Sequence, residues 1–159
     1  MTHSKKDVWK VWFAAGLWLA IIIVESSNFG ASGNTSRILY PLFHFVFGFN
    51  QQQFEPWHHL IRKCGHFVGY FTLSVLLFRA WRETLTTASN ARWMFNWAGI
   101  AWVMTTLVAC LDEWHQAYIP TRGSSIYDVL LDSSAALAAQ IIIWLWLRRR
   151  REERGLRYA

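Results

Sequence analysis

Four apolar runs constrain this chain more than any other feature, because about 20 consecutive apolar residues can cross a bilayer as one helix. They occupy residues 8–25, 64–81, 93–111 and 126–147. Over the whole chain 53% of the residues are hydrophobic and 17% are aromatic, and the eleven Trp are typical of aromatic belts at membrane interfaces. We therefore predict an all-α membrane protein with four transmembrane helices, the first of them retained and not cleaved as a signal peptide.

A further apolar segment, ILYPLFHFVFGF at residues 38–49, lies in the long loop after the first run. It is too short to span a bilayer and contains Pro41 and Gly48, so we predict an interfacial or re-entrant segment. Residues 25–37 are rich in Ser, Asn and Gly, which predicts irregular structure. Residues 51–56 are predicted to form a polar turn before the second transmembrane helix.

The distribution of Lys and Arg predicts the orientation, because cytoplasmic segments carry an excess of both. Twelve of the sixteen fall in the N-terminal segment, the connector between the second and third runs, and the tail, and the other side holds Arg37, Arg62, Lys63 and Arg122. We predict a single domain over residues 1–159 with both termini cytoplasmic and a basic tail over residues 148–159. The net charge of +6 is thus a topology signal, and no nucleic-acid partner is predicted.

The polar segment at residues 111–132, LDEWHQAYIPTRGSSIYDVLLD, separates the third and fourth runs. Asp128 and Asp132 are four residues apart, so they share a helix face and Asp132 lies about 6 Å deeper. A carboxylate at that depth needs a partner or a water-filled cavity. Asp112 and Glu113 end the third run and are predicted to point toward the fourth. An outward-facing polar site between helices two, three and four is therefore predicted.

Several kinds of chemistry could use such a site. General acid–base catalysis at a lipid head group would use the candidate catalytic residues His66, Asp112, Glu113 and Asp128. An anionic head group would be held by the candidate ligand-binding residues Arg37, Lys63, Tyr70, Gln116, Arg122, Ser125 and Asp132. Oxygen ligands also suit a divalent cation, but no spacing matches a metal motif, so no metal ligand is assigned and the cofactor is left open. The remaining alternative is a polar network that only locks the helices together.

The two cysteines, Cys64 and Cys110, form neither a disulfide framework nor a metal-binding motif. Both are predicted near the same membrane face, so one bridge between them is an alternative. We expect two free thiols.

Three spaced motifs give the chain a resemblance to the VanZ-like family of small bacterial membrane proteins. They are Arg62-Lys63-x-Gly65-His66-Phe67-x-x-Tyr70, Asp112-Glu113-x-x-Gln116 and Pro120-x-Arg122-x-x-Ser125-x-x-Asp128-Val129, with Ser26 and Ser27 after the first helix. The resemblance covers about residues 21–140. One departure is Thr121, which stands where the family commonly has Gly before the Arg. The resemblance implies four helices in the bacterial cytoplasmic (inner) membrane, with the motif residues on the outer face.

The resemblance also carries functional expectations. The family's namesake is associated with resistance to teicoplanin, a lipoglycopeptide that targets the cell-wall precursor outside the membrane. It implies an envelope protein that binds a lipid or lipid-linked cell-wall precursor, with modification of that ligand and an effect on glycopeptide susceptibility as further expectations. Two alternatives stand beside it: a non-enzymatic envelope or resistance factor whose polar residues are structural, and a small transporter or flippase subunit. Enzymatic activity and oligomeric state are left open.

Overall fold

The computed structural model describes residues 5–85 and 95–156, and this part of the chain is all helical, as predicted. A 3₁₀ turn, Asn28–Gly30, follows the first helix. The five α-helices are α1 (Lys5–Ser26), α2 (Ser32–Phe47), α3 (Gln51–Leu85), α4 (Phe95–Gln116) and α5 (Ile126–Leu156). The predicted start of the third transmembrane helix, at residue 93, lies outside the described residues.

Within the described ranges, three helices are long and apolar enough to cross a membrane: Val8–Ser26, Phe95–Gln116 and Ile126–Arg150. The chain is therefore a multi-pass membrane protein. The predicted second crossing, residues 64–81, lies inside α3, whose 35 residues make a helix of about 52 Å. α3 begins with polar turns well before that apolar stretch and is not among the three candidate spans. That residues 64–81 cross the membrane, which would make four crossings in all, therefore stays a prediction.

The loop after α1 is more ordered than its composition predicts. The segment predicted to be irregular is helical from Ser32 onward, and α2 runs through Pro41 without ending there. Proline keeps a helical φ and removes only one backbone donor, so a helix can continue past it at a cost. Gly48 does end α2, with φ +69°, and its N–H donates to the carbonyl of His44 at 2.9 Å. The interfacial or re-entrant arrangement of this segment stays a prediction.

The start of α3 corrects the predicted polar turn at residues 51–56, which instead forms the first turns of that helix. The Asn50 side chain accepts the N–H of Gln53 at 2.9 Å, and the Gln53 side chain accepts the N–H of Asn50 at 3.0 Å. This reciprocal arrangement is a capping box, which satisfies backbone donors at a helix start. The cap moves the beginning of the helix ahead of the apolar pattern.

Aromatic packing holds α2 against the first turns of α3. Phe54 is fully buried, with ring centroids 5.4 Å from Tyr40 and 5.5 Å from Phe43. His58 stacks on Phe54 at 5.2 Å, and its Nε2 lies 2.8 Å from the Thr35 hydroxyl. The two helices therefore form one unit beyond the apolar part of the bundle.

The core of the bundle is built around α3, which packs against each of the other four helices. Its buried residues Tyr70, Leu73, Leu77 and Phe78 meet α1, α4 and α5. On α5 the fully buried hydrophobic residues are small: Ala135, Ala136 and Ala139. Small side chains let helices approach closely, so that buried polar groups can reach across.

Ser74 and Gln140 fix the direction of α3 relative to α5. The Ser74 hydroxyl donates to the carbonyl of Ala136 at 3.1 Å, and Gln140 Nε2 donates to that hydroxyl at 2.7 Å. Nearer the start of both helices, His66 faces Asp132. The two helices therefore run side by side in the same direction, which brings their polar beginnings to one end of the bundle.

All four helices that contain the predicted spans extend past their predicted ends, α1 by one residue and α3 by four, to Leu85. The predicted third helix continues from residue 111 to Gln116, and α5 continues to Leu156, into the predicted tail, whose residues 157–159 lie outside the described part. Arg148 bonds Glu152 one turn later at 3.1 Å, and this pairing supports helix in a charged sequence. Cys64 and Cys110 are both free, as expected.

Candidate functional site

The three sequence motifs meet at one end of the bundle, around a polar cavity of about 250 Å³. The start of α2, the first half of α3, the end of α4 and the start of α5 all contribute to its wall. Its basic lining residues are Arg62, Lys63, His58, His59 and His66. The other polar lining residues are Ser32, Glu55, Gln116 and Asp128. The cavity is thus lined mainly by groups that donate hydrogen bonds or carry positive charge.

Two side-chain pairs join α3 to α5 beside this cavity. Lys63 forms an ion pair with Asp128, and one turn deeper His66 Nδ1 lies 3.4 Å from Asp132 Oδ2. Lys63 and His66 are three residues apart on α3, and Asp128 and Asp132 are four apart on α5. Both spacings place the two side chains on one face of their helix, so the two pairs can form side by side. Asp132 is fully buried, and its Oδ1 makes no hydrogen bond to any described residue.

Asp112 is the centre of a second, deeper network that ties α1, α3 and α4 together. Its Oδ2 accepts a hydrogen bond from the Tyr70 hydroxyl at 2.7 Å, and its Oδ1 accepts one from Ser26. Gln116 Nε2 then donates to the Ser26 hydroxyl at 3.2 Å. Both carboxylate oxygens are therefore satisfied within the protein, as buried charge requires.

Glu113 joins the end of α4 to the start of α5. Its Oε2 accepts the backbone N–H of Ser125 at 2.7 Å, and the Ser125 hydroxyl accepts the N–H of Tyr127 at 3.2 Å. Ser125 therefore caps the beginning of α5. Glu113 is buried, and its Oε1 makes no hydrogen bond within the described part of the chain.

Two arginines lock the loops that close this end of the bundle. Arg122 Nη2 donates to the carbonyls of Glu25 and, at 3.0 Å, Ser27, while Arg62 Nη1 donates to the carbonyl of Gly30 at 3.0 Å. A side chain at Gly30 would collide with the Glu25 carbonyl and lie 2.6 Å from Arg122 Nη2. Arg122 therefore holds backbone where the sequence predicts an anion ligand.

The structure brings most of the predicted site residues together, but in three different settings. His66, Lys63, Gln116 and Asp128 line the cavity, while Arg37 is exposed on α2 and does not line it. Behind the cavity wall, bonded to other parts of the protein, lie Tyr70, Asp112, Glu113, Arg122, Ser125 and Asp132.

Sequence reasoning missed Ser26, Glu55, Arg62, His58 and His59 as site residues. A signal existed for His59, which precedes Lys63 and His66 by one and two helical turns on the same face. Ser26 was named only with the family resemblance, because its partners Asp112 and Gln116 are 86 and 90 residues away in the chain and no local spacing connects them. Among the described residues, no group of three or more His, Cys, Asp or Glu side chains is arranged to hold a metal ion.

The comparisons with known proteins agree with the motifs. The family model described as VanZ/LLP1 matches residues 11–147, which include every residue of the three motifs. Searches of curated proteins and of solved structures gave no match. Membership in this family suggests a membrane protein linked to glycopeptide resistance. The match covers most of the chain and confirms the resemblance seen in the sequence, so this multi-pass membrane protein belongs to the VanZ/LLP1 family.

Proposed function

We propose that this protein binds the anionic head group of a lipid or lipid-linked cell-wall precursor in the polar cavity. The observation that carries the proposal is the lining of that cavity. Five basic side chains share it with two carboxylates, Glu55 and Asp128. Arg and Lys donate charge-assisted hydrogen bonds to phosphate oxygens, and an arginine can do so with two parallel bonds. A cavity of about 250 Å³ suits a head group of this kind.

The two cations keep donors for a ligand although both already have partners. Arg62 gives one of its five N–H groups to the Gly30 carbonyl. Lys63 pairs with Asp128, and an ammonium group carries three donors. A phosphate oxygen can therefore join Lys63 without displacing Asp128, and Arg62 can hold the same phosphate while it anchors the loop.

The arrangement of His66 supports proton transfer at the bound head group. Its Nδ1 faces the buried carboxylate of Asp132, and the ring lines the cavity. A carboxylate on Nδ1 selects the tautomer that carries its proton there, which leaves Nε2 to act on a ligand. In this proposal His66 is the acid or base of a modification step and Asp132 orients its ring.

Location on the outer face of the bacterial cytoplasmic membrane is part of the same proposal. Its support is the uneven distribution of Lys and Arg, since Arg148, Arg149 and Arg150 lie at the far end of α5 from the cavity. A family linked to glycopeptide resistance fits this location, because the ligand would be an envelope lipid or cell-wall intermediate.

The test is native mass spectrometry of protein gently extracted from its own membranes. The parent is compared with the double variant Lys63→Gln, Asp128→Asn, which removes the cation without leaving an unpaired carboxylate. Arg79→Gln is the matched control, an exposed cation on α3 about 24 Å farther along the helix. We expect a discrete phosphate-bearing adduct on the parent and the control and its loss from the double variant. The same adduct on a folded double variant would refute the proposal.

A further inference from the structure

We propose that a second cavity, an apolar cleft between α1 and α4, holds the hydrocarbon chain of the lipid whose head group enters the polar cavity. The cleft has a volume of about 270 Å³. Its apolar walls are Leu19, Ile22 and Ile23 of α1 and Val108 and Leu111 of α4. The inference rests on the proposed head-group site and adds where the rest of the ligand lies.

The cleft lies directly against the polar site. Its polar lining residues are Ser26, Asp112 and His115, and Ser26 accepts the hydrogen bond from Gln116, which lines the polar cavity. One layer of hydrogen-bonded side chains therefore separates the two cavities. In that layer the Ser26 hydroxyl of α1 bonds two residues of α4: it donates to Asp112 and accepts from Gln116 Nε2 at 3.2 Å.

A third, very small cavity lies within this layer. It has about 20 Å³, and its polar lining residues are Glu25, Ser26, His66, Tyr70 and Asp112. It shares His66 with the polar cavity and shares Ser26 and Asp112 with the cleft. A space of this size accommodates about one water molecule. Head-group cavity, small cavity and apolar cleft therefore neighbour one another at this end of the bundle.

The chemistry of the cleft favours hydrocarbon over any polar ligand. Its one carboxylate, Asp112, already accepts hydrogen bonds on both oxygens, from Ser26 and Tyr70, so neither oxygen needs a ligand as a partner. The wall residues Ile23 and Leu111 are 57% and 59% exposed on the outside of the bundle. The cleft therefore opens sideways, toward the bilayer.

A lateral opening is what a lipid ligand requires. When the head group of a lipid binds to a protein, its hydrocarbon chain stays at membrane depth. At that depth an apolar protein surface can contact the chain without burying unpaired polar groups. From Leu19 to Ser26 the cleft follows α1 for about 10 Å, starting at the level of the polar network. Head group and chain can thus bind in the two cavities, without the lipid leaving the membrane, when the contact between Gln116 and Ser26 opens.

The test is photo-cross-linking with a long-chain alkyl phosphate that carries a diazirine in the middle of its chain. The protein is reconstituted in vesicles of neutral phosphatidylcholine, and labelled peptides are mapped by mass spectrometry. Butyl phosphate, which has the head group and almost no chain, is the competitor. We expect saturable labelling of residues 19–26 and 108–115 that butyl phosphate suppresses.

Matched substitutions test the cleft itself. Ile23→Trp and Leu111→Trp place a large side chain in the cleft. Both positions are exposed, so we expect little change in the stability of the fold. Ile21→Trp and Leu107→Trp add the same side chain at exposed positions of the same helices outside the cleft. Because the indole ring takes up space that the chain would occupy, we expect about tenfold less labelling in the first pair, equivalent to ~1.4 kcal/mol, and no change in the second.

The outcomes separate this inference from the proposed function. Labelling that is saturable, suppressed by butyl phosphate and lost in the double variant Lys63→Gln, Asp128→Asn, but mapped to other helix faces, would refute the cleft alone. Labelling that is neither saturable nor suppressed would refute the head-group site and the cleft with it. Unchanged labelling with an altered oligomeric state in Ile23→Trp would identify the cleft as a contact between copies of the chain, against the inference.

Discussion

Asp132 has no exposed surface, and its Oδ2 faces Nδ1 of His66 at 3.4 Å across the boundary between α5 and α3. A carboxylate at that depth is tolerated because the histidine can pair with it. Removing one partner of a buried pair leaves the other uncompensated, whereas replacing both by apolar groups is often neutral. The pairing of His66 with Asp132 should therefore affect the stability of the protein whether or not a ligand is bound.

His66→Phe should destabilise the protein by about 3 kcal/mol, because it leaves the buried Asp132 carboxylate without its partner. The double variant His66→Phe, Asp132→Leu should recover most of that loss. The measurement is the free energy of unfolding in mixed micelles, for the two single variants and the double variant. Additive losses would show that the two residues are not coupled.

Tyr70→Phe should lower the free energy of unfolding by about 1–3 kcal/mol, because Asp112 Oδ2 loses its 2.7 Å hydrogen bond while it stays buried. Tyr127→Phe removes the same hydroxyl from an exposed position and should change the stability little. Thermal unfolding of both variants in detergent measures the difference. Equal effects would mean that the Tyr70 hydroxyl has no structural role.

Gly30→Ala should reduce the yield of folded protein sharply. The added methyl group would collide with the backbone carbonyl of Glu25, and backbone cannot move aside as a flexible side chain can. Gly33→Ala is the control, since a methyl group there meets nothing within 4 Å and alanine favours the first turns of α2. Size-exclusion profiles and melting temperatures of the two variants decide the matter, and a stable Gly30→Ala protein would contradict the loop geometry.

Acidification should weaken the packing of α2 on α3 through His58. Burial, followed by the nearby positive charge of Arg62, lowers the pKa of His58 below its ordinary value of 6.5. The unfolded chain therefore takes up the proton first, so the stabilisation is complete above pH 6.5 and is lost as the pH falls through the folded-state pKa.

The measurement is the free energy of unfolding between pH 7.5 and pH 5.5 for the parent and for His58→Gln. Glutamine keeps a hydrogen-bonding side chain near Thr35 but does not titrate in this range. The parent should lose more stability on acidification, by at most ~1.4 kcal/mol per pH unit for one proton. Parallel curves for the two proteins would assign the pH dependence to other groups.

The sequence by itself determined the helical class, three membrane helices and the end of the bundle at which the motifs meet. These properties are local, since hydropathy over a window marks a span and a spacing of three or four residues marks a shared face. Lys63 and His66, and likewise Asp128 and Asp132, could be assigned to one face for this reason. The beginning of α3 was missed, because the Asn50–Gln53 cap precedes the apolar pattern.

Only the tertiary structure decided which partners these residues have. Arg122 reaches the carbonyl of Ser27, 95 residues earlier, and so locks a loop where an anion ligand was predicted. Asp112 accepts hydrogen bonds from Tyr70 of α3 and Ser26 of α1, which are 42 and 86 positions away in the chain. Such partners depend on how each helix is rotated and how deep it lies against its neighbours. That arrangement follows from the packing of the small residues of α5 and the core of α3, which no local pattern in the chain encodes.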